Sequence, residues 1–251
     1  MVFEIEKELA AALYSARVSG DACLAKSCEL SKVPDSVGEW SVNVAAATAE
    51  AATAELHRMV NDTDVPLARA RQLRLYLAWK GHAESQFLMG ENFRLGRNIA
   101  QDHALARYWY GKAAAAGHVA AQNNLGVMYA EGLGGKRDMK MAMYWYGRSA
   151  EKGNVVAKGN LGVNIATGNG ARRDYAKAAR LLKESLKNDP YNARDHRLLA
   201  SCYEHGVGGR NGRRLAILHY QEASDFGSLE ARAALRRLTG HGDPKSPGGA
   251  P

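Results

Sequence analysis

The chain has 251 residues, 46% hydrophobic and 24% charged, with a formal net charge of +8. That composition suits a folded soluble protein, and no apolar run approaches the roughly 20 residues that a membrane helix needs. The opening MVFEIEKELAAAL carries Glu4, Glu6 and Glu8, where a secretory signal would need a positive start and an apolar core. Cys23, Cys28 and Cys202 are few and odd in number, so the cytoplasm is the expected compartment.

Charge is unevenly spread. Residues 1–64 hold five Lys/Arg against eleven Asp/Glu, while the rest holds 29 against 15. An acidic head and a basic body either attract each other or meet different partners.

In chain order, residues 1–19 read as a helix with Val2, Ile5, Leu9, Ala12 and Ala16 on one face. Gly20 and Asp21 break it, and a short helix is predicted through Leu24 to Leu30. The stretch 32–40, with Pro34 and Gly38, is a loop. Helix resumes from Ser41 to Val60, and Asp64 caps another over 65–80, with Pro66 tolerated in its first turn. Residues 1–80 are therefore expected to form a helical N-terminal cap that includes a degenerate leading repeat.

From Gly81 the sequence becomes periodic. Gly81, Gly117 and Gly153 stand 36 residues apart, and so do Gly90, Gly126 and Gly162. Gly96, Gly132 and Gly168, and Asp102, Asp138 and Asp174, keep the same interval, while Trp109-Tyr110 returns as Trp145-Tyr146. Such a period, with a helix–turn–helix in each unit, marks an α-solenoid. The expected units are 81–116, 117–152, 153–188 and 189–226, a capping helix at 227–238 and a disordered tail at 239–251. In the best copy, Ala121, Leu125 and Tyr129 form an apolar stripe, and Gly126 beside it lets the second helix approach closely. Gly132 ends the first helix and Asp138 is placed to cap the second, whose buried face is Ala142, Trp145, Tyr146 and Ser149. The third unit has Leu181-Leu182 in place of Trp-Tyr. The fourth is shifted by two residues, with Ala200 at the close-contact glycine and His219 at the tryptophan.

These residues resemble the Sel1-like repeat, a relative of the tetratricopeptide repeat. The resemblance rests on Gln122, Leu125, Gly126, Tyr129, Gly132, Gly134, Asp138, Ala142, Trp145, Tyr146, Ser149 and Ala150, and covers about residues 79 to 238. It implies an all-α fold, a right-handed α/α solenoid of helix–turn–helix repeats with the helical cap in front. It also implies a concave face, lined by the first helices, that binds protein partners. On that face the sequence offers Glu91, Arg94, Asn123, Asn124, Val127, Glu131, Asn160, Asn164, Arg197, Ser201 and His205. Amides and mixed charges there suit a peptide backbone or a polar protein loop.

No catalytic motif accompanies the repeats. Gly132-Leu133-Gly134-Gly135 follows a helix rather than a strand, and Lys136 precedes Arg137 rather than Ser or Thr, so it is no phosphate loop. His82-Ala83-Glu84 has a deaminase-like spacing without the P-C-x-x-C that must follow. Cys23 and Cys28 do not make a C-x-x-C and have no second pair. The expectation is a non-enzymatic chain with no cofactor, metal, small-molecule substrate or membrane.

The corners carry a basic rim of Lys136, Arg137, Arg172, Arg173, Arg210, Arg213 and Arg214, expected to line one edge of the stack. It reads as a solvated edge or a strip for an acidic protein; nucleic acid ranks lower because no aromatics interleave with these cations. The resulting expectation is a scaffold or adaptor that binds another protein. The alternative is a cognate inhibitor, an immunity protein that neutralises a toxin by direct binding.

Overall fold

Residue 83 begins the first helix whose limits the computed structural model defines, and the described residues run from 74 to 240 except 76 and 98. The helices predicted within 1–73, and the tail from 241, lie outside the described residues. Among those described, every regular element is helical. They are α1 Ala83–Leu95, α2 His103–Ala115, α3 Val119–Glu131, α4 Met139–Glu151, α5 Val155–Thr167, α6 Tyr175–Leu186, α7 Ala193–Glu204, α8 Gly212–Asp225 and α9 Leu229–Thr239. A 3₁₀ turn, Gly209–Asn211, precedes α8. No described helix is long and apolar enough to cross a membrane.

Seven of the nine described helices start at a side-chain cap in a recurring repeat position, while α8 begins after Asn211 without one. Before the first helices, His82, His118, Asn154, Asn192 and Ser228 accept from backbone N–H groups three residues on. Before the second helices, Asp102 accepts from Ala104 and Leu105, and Asp174 accepts from Lys177. A cap of this kind contributes about 1 kcal/mol, and a helix of 13 residues in water has little else of its own. At the joints, Gly117 takes φ 92°, so that its N–H and that of His118 close back on the Ala114 and Ala113 carbonyls.

The chain divides into two compact units, one ending at Asp138 and the other beginning at Met139. In the first, α1 packs on α2 and α2 on α3. Its core holds Met89 and Phe93 from α1, Leu105, Trp109 and Tyr110 from α2, and Leu125 and Met128 from α3. In the second, each helix from α4 to α8 packs on the next in the chain. Its core runs from Ile165 and Leu182 through Leu199, Cys202 and Tyr203 to Tyr220 and Ala231.

The close-contact glycine does what its position predicts. A Cβ on Gly90 would sit 2.5 Å from Cδ1 of Tyr110, so α1 and α2 meet at a distance only glycine permits. The face predicted for α4 is largely buried, with Ala142, Tyr146, Ser149 and Ala150 all inside. Trp145 is only half-buried, unlike Trp109 at the same repeat position, which is 1% exposed.

Candidate functional site

The polar residues predicted on the first helices form side-chain networks within each unit. In the first unit, Glu91 on α1 receives Arg94 at 2.9 Å and Asn124 of α3 at 2.9 Å. The Tyr110 hydroxyl of α2 also donates to Glu91, and Arg94 Nε donates back to that hydroxyl at 3.1 Å. Burial opposes ionisation of Glu91, but hydrogen bonds from Arg94 and Tyr110 outweigh it and hold the carboxyl below its usual range. Burial, then the Glu91 carboxylate, pushes the Tyr110 hydroxyl far above the usual tyrosine value. The cluster thus stays as one carboxylate, one guanidinium and one neutral phenol.

The second unit repeats the theme with different residues. Tyr220 on α8 donates to Glu204 of α7 at 2.6 Å, and Arg237 of α9 reaches the same carboxylate at 2.7 Å. Burial and Glu204 raise the Tyr220 hydroxyl as in the first unit. Elsewhere in this unit, Asn164 donates to the Asn160 carbonyl at 2.8 Å, and Arg194 donates to the Asn160 side chain at 3.2 Å. His205 donates to the Ser201 carbonyl at 2.7 Å and stacks on Tyr175. Arg197 is half-buried, and its charge helps hold Glu230 below the usual carboxylate range after that residue's own backbone N–H and Ser228.

One residue of the predicted surface is misplaced. Asn123 is 7% exposed, its amide donating to Asn124 at 3.2 Å, so it supports the surface from within. The reason is register: α3 turns Asn123 toward the buried Gln122 side of the helix and leaves Asn124 and Val127 half-buried. Glu131, at the end of α3, is exposed.

The basic residues split between the units. Lys136 and Arg137 are exposed in the first, and Arg172, Arg173, Arg210, Arg213 and Arg214 are exposed in the second. Two of them are tied to the backbone: Arg173 donates to the Thr167 carbonyl at 3.1 Å and Arg213 to that of Leu238 at 2.8 Å. In the first unit Arg107 lies over the Tyr129 ring at 3.8 Å and donates to the Lys136 carbonyl.

Sequence reasoning named Gln122 as a repeat position but assigned it no role. Gln86 and Gln122 are buried and donate to the Ala78 and Ala114 carbonyls at 2.9 and 3.1 Å, stitching each first helix to the preceding element. In the third repeat that position is Lys158, paired with Glu184 at 2.5 Å, and in the fourth it is His196, which donates to the Pro190 carbonyl at 2.8 Å. The position changes partner as well as side chain: the glutamines and His196 reach an upstream backbone carbonyl, whereas Lys158 pairs with a carboxylate on the following helix. Among the described residues no cluster of His, Cys, Asp or Glu is arranged to hold a metal ion.

The Sel1 repeat family model matches four segments, residues 83–118, 119–154, 156–189 and 195–227. The chain belongs to the Sel1 repeat family. Its all-α fold of repeated helix pairs is the SLR fold. A protective antigen present in uropathogenic Escherichia coli strains, which displays that fold, is 27% identical with a TM-score of 0.63. That match covers 77% of this chain but 41% of the antigen, so the chain spans less than half of it. A Sel1 repeat protein from Oxalobacter formigenes is also 27% identical, with a TM-score of 0.62, over 80% of this chain and 83% of that one. No curated protein matches the sequence. Sel1 repeat proteins generally mediate protein–protein interaction.

Proposed function

We propose that this Sel1 repeat chain is a non-enzymatic scaffold or adaptor that binds a partner protein through the polar residues of its first helices. The observation that supports this most is the Glu91–Arg94–Tyr110–Asn124 network, in which surface polar groups are held by the neighbouring helices before any partner arrives. Side chains fixed in advance lose less conformational freedom on association, which is the main cost a polar interface has to meet. The Glu204–Tyr220–Arg237 cluster offers the second unit a surface of the same chemistry. A mixed-charge surface of this kind selects protein loops with complementary donors and acceptors rather than a uniformly charged polymer. Clamping of a cognate toxin is the sharper form of the same reading, and the partner's identity separates it from a scaffold role.

The test is affinity capture of the full-length chain from cells that express it, comparing the wild type with Glu131→Arg, Asn164→Arg and His205→Arg. These residues are exposed or half-buried, so the melting temperature should hold while a specifically captured protein is lost. Retention of every captured protein by all three variants would refute the proposed surface.

A further inference from the structure

An open groove of about 910 Å³ lies in the second unit, between α4, α5 and α6. Its floor is apolar, made of Met143 and Gly147 from α4, Leu161 and Ile165 from α5, and Leu181 from α6. Leu181 stands at the repeat position that Trp109 fills in the first repeat, where the indole is 1% exposed. The groove, between the second helix of the second repeat and both helices of the third, thus lies beside a position that holds Trp109 and the half-buried Trp145 in the first two repeats and only leucine in the third. The volume is within the range of roughly 300–1,000 Å³ typical of ligand sites and exceeds what one leucine occupies.

The lining holds four cations, Lys158, Arg172, Arg173 and Lys177, against three acids, Glu151, Asp174 and Glu184. Two of the three acids are committed: Asp174 caps α6 through the Lys177 N–H, and Glu184 pairs with Lys158. Glu151 remains on the α4 side. Arg173 is bound to the Thr167 carbonyl, whereas Arg172 and Lys177 line the groove with exposed side chains.

We propose that this groove is a docking site for an acidic segment of a partner protein, which inserts a tryptophan or similar large aromatic side chain where the third repeat has Leu181. The inference rests on reading the chain as a protein-binding module, but it names a surface away from the polar first-helix residues. An aromatic side chain brings a large apolar area at small entropic cost, the profile of an interface anchor. Acidic flanks meet Arg172 and Lys177, and that attraction speeds encounter and weakens with salt.

The test uses the full-length chain and fluorescently labelled acidic peptides with one central Trp, read by fluorescence polarisation. Control peptides carry a central Ala or lysine flanks. The Trp peptide should bind at micromolar concentration, and both controls should bind at least tenfold more weakly. Leu181→Trp restores the repeat's own residue, so it should fill the groove, lower affinity at least tenfold and leave the melting temperature unchanged or raised. Arg172→Glu with Lys177→Glu should lower affinity similarly and flatten its salt dependence without touching the groove floor. Unchanged binding in both variants, or equal binding of the lysine-flanked peptide, would overturn the proposal. So would concentration-dependent self-association that Leu181→Trp abolishes, which would make the occupant a second copy. Peptide binding that emerges only after Trp40→Ala would instead assign the groove to the chain's own acidic head. Partner capture that survives Leu181→Trp but not Asn164→Arg separates failure here from failure of the first-helix reading.

Discussion

The first and fourth repeats solve the same packing problem with different chemistry. In the first, Trp109 is fully buried and Gly90 leaves the room that the Tyr110 ring occupies against α1. In the fourth, His219 replaces the tryptophan, stacks on Tyr203 and meets His196 Nδ1 to Nδ1 at 3.0 Å, while Ala200 replaces the glycine. Both keep a second-helix tyrosine donating to a carboxylate on the first helix, Tyr110 to Glu91 and Tyr220 to Glu204. The hydrogen bond survives where the apolar filler does not. The fourth repeat has thus traded volume for titratable groups, and its stability should depend on conditions that leave the first unmoved.

The largest effect should come from the filler. Trp109→Ala should cost about 3–5 kcal/mol, by transfer and cavity terms together. His219→Ala, removing a half-buried ring, should cost clearly less in the same urea titration; equal losses would erase the distinction. Next in size is the close contact. Gly90→Ala forces a Cβ against Tyr110 and should cost about 1–3 kcal/mol, whereas Ala200→Gly should cost about 1 kcal/mol through helix propensity alone. A neutral Gly90→Ala would show that α1 and α2 can part freely.

Smaller still are the phenols. Tyr110→Phe and Tyr220→Phe should each cost about 1 kcal/mol, because Arg94 and Asn124 keep Glu91 paired and Arg237 keeps Glu204 paired. Matching losses in the two repeats would confirm that the shared hydrogen bond is equivalent.

The subtlest contrast is in pH. Burial, then the charge on His196, lowers the pKa of His219 below its usual value, with Glu222 opposing and Lys183 adding to the effect. His196 donates from Nε2 to Pro190, so its Nδ1 accepts from His219. A base with a lowered folded pKa binds fewer protons folded than unfolded. Its contribution is full above the unfolded value near 6.5 and is lost as pH falls from there toward the folded value. Amide exchange in α7 and α8 should therefore accelerate as pH drops below about 6.5, after correction for intrinsic rates, and His219→Gln should remove the excess over α1 and α2. An identical pH response in both regions would contradict this.

Much of this was legible in the sequence because the 36-residue interval repeats whole sets of backbone demands. Asp102 and Asp174 are caps because a helix start needs an acceptor there, and Gly117 is a joint because its φ is positive. His82 and His118 as caps were not legible, since imidazole is outside the usual capping set and only its Nδ1 geometry reveals it. Tertiary register hid more. Asn123 and Asn124 are adjacent in sequence, yet one is buried and the other shares Glu91 with Tyr110. The groove beside Leu181 was visible only as a missing tryptophan, because an unfilled volume has no letter of its own.

The central claim, that polar first-helix residues rather than the basic corners hold the partner, is tested by affinity against salt for the captured partner and for a nonspecific DNA duplex. The variants are Asn164→Arg with His205→Arg on the first helices, and Arg172→Glu with Arg210→Glu and Arg214→Glu on the corners. The account predicts that the first-helix pair abolishes partner binding, that corner reversal leaves at least part of it, and that duplex binding is negligible at physiological salt. Duplex binding whose slope of log affinity on log salt falls by about 0.9 for each cation reversed, with partner binding untouched by the first-helix pair, would contradict it.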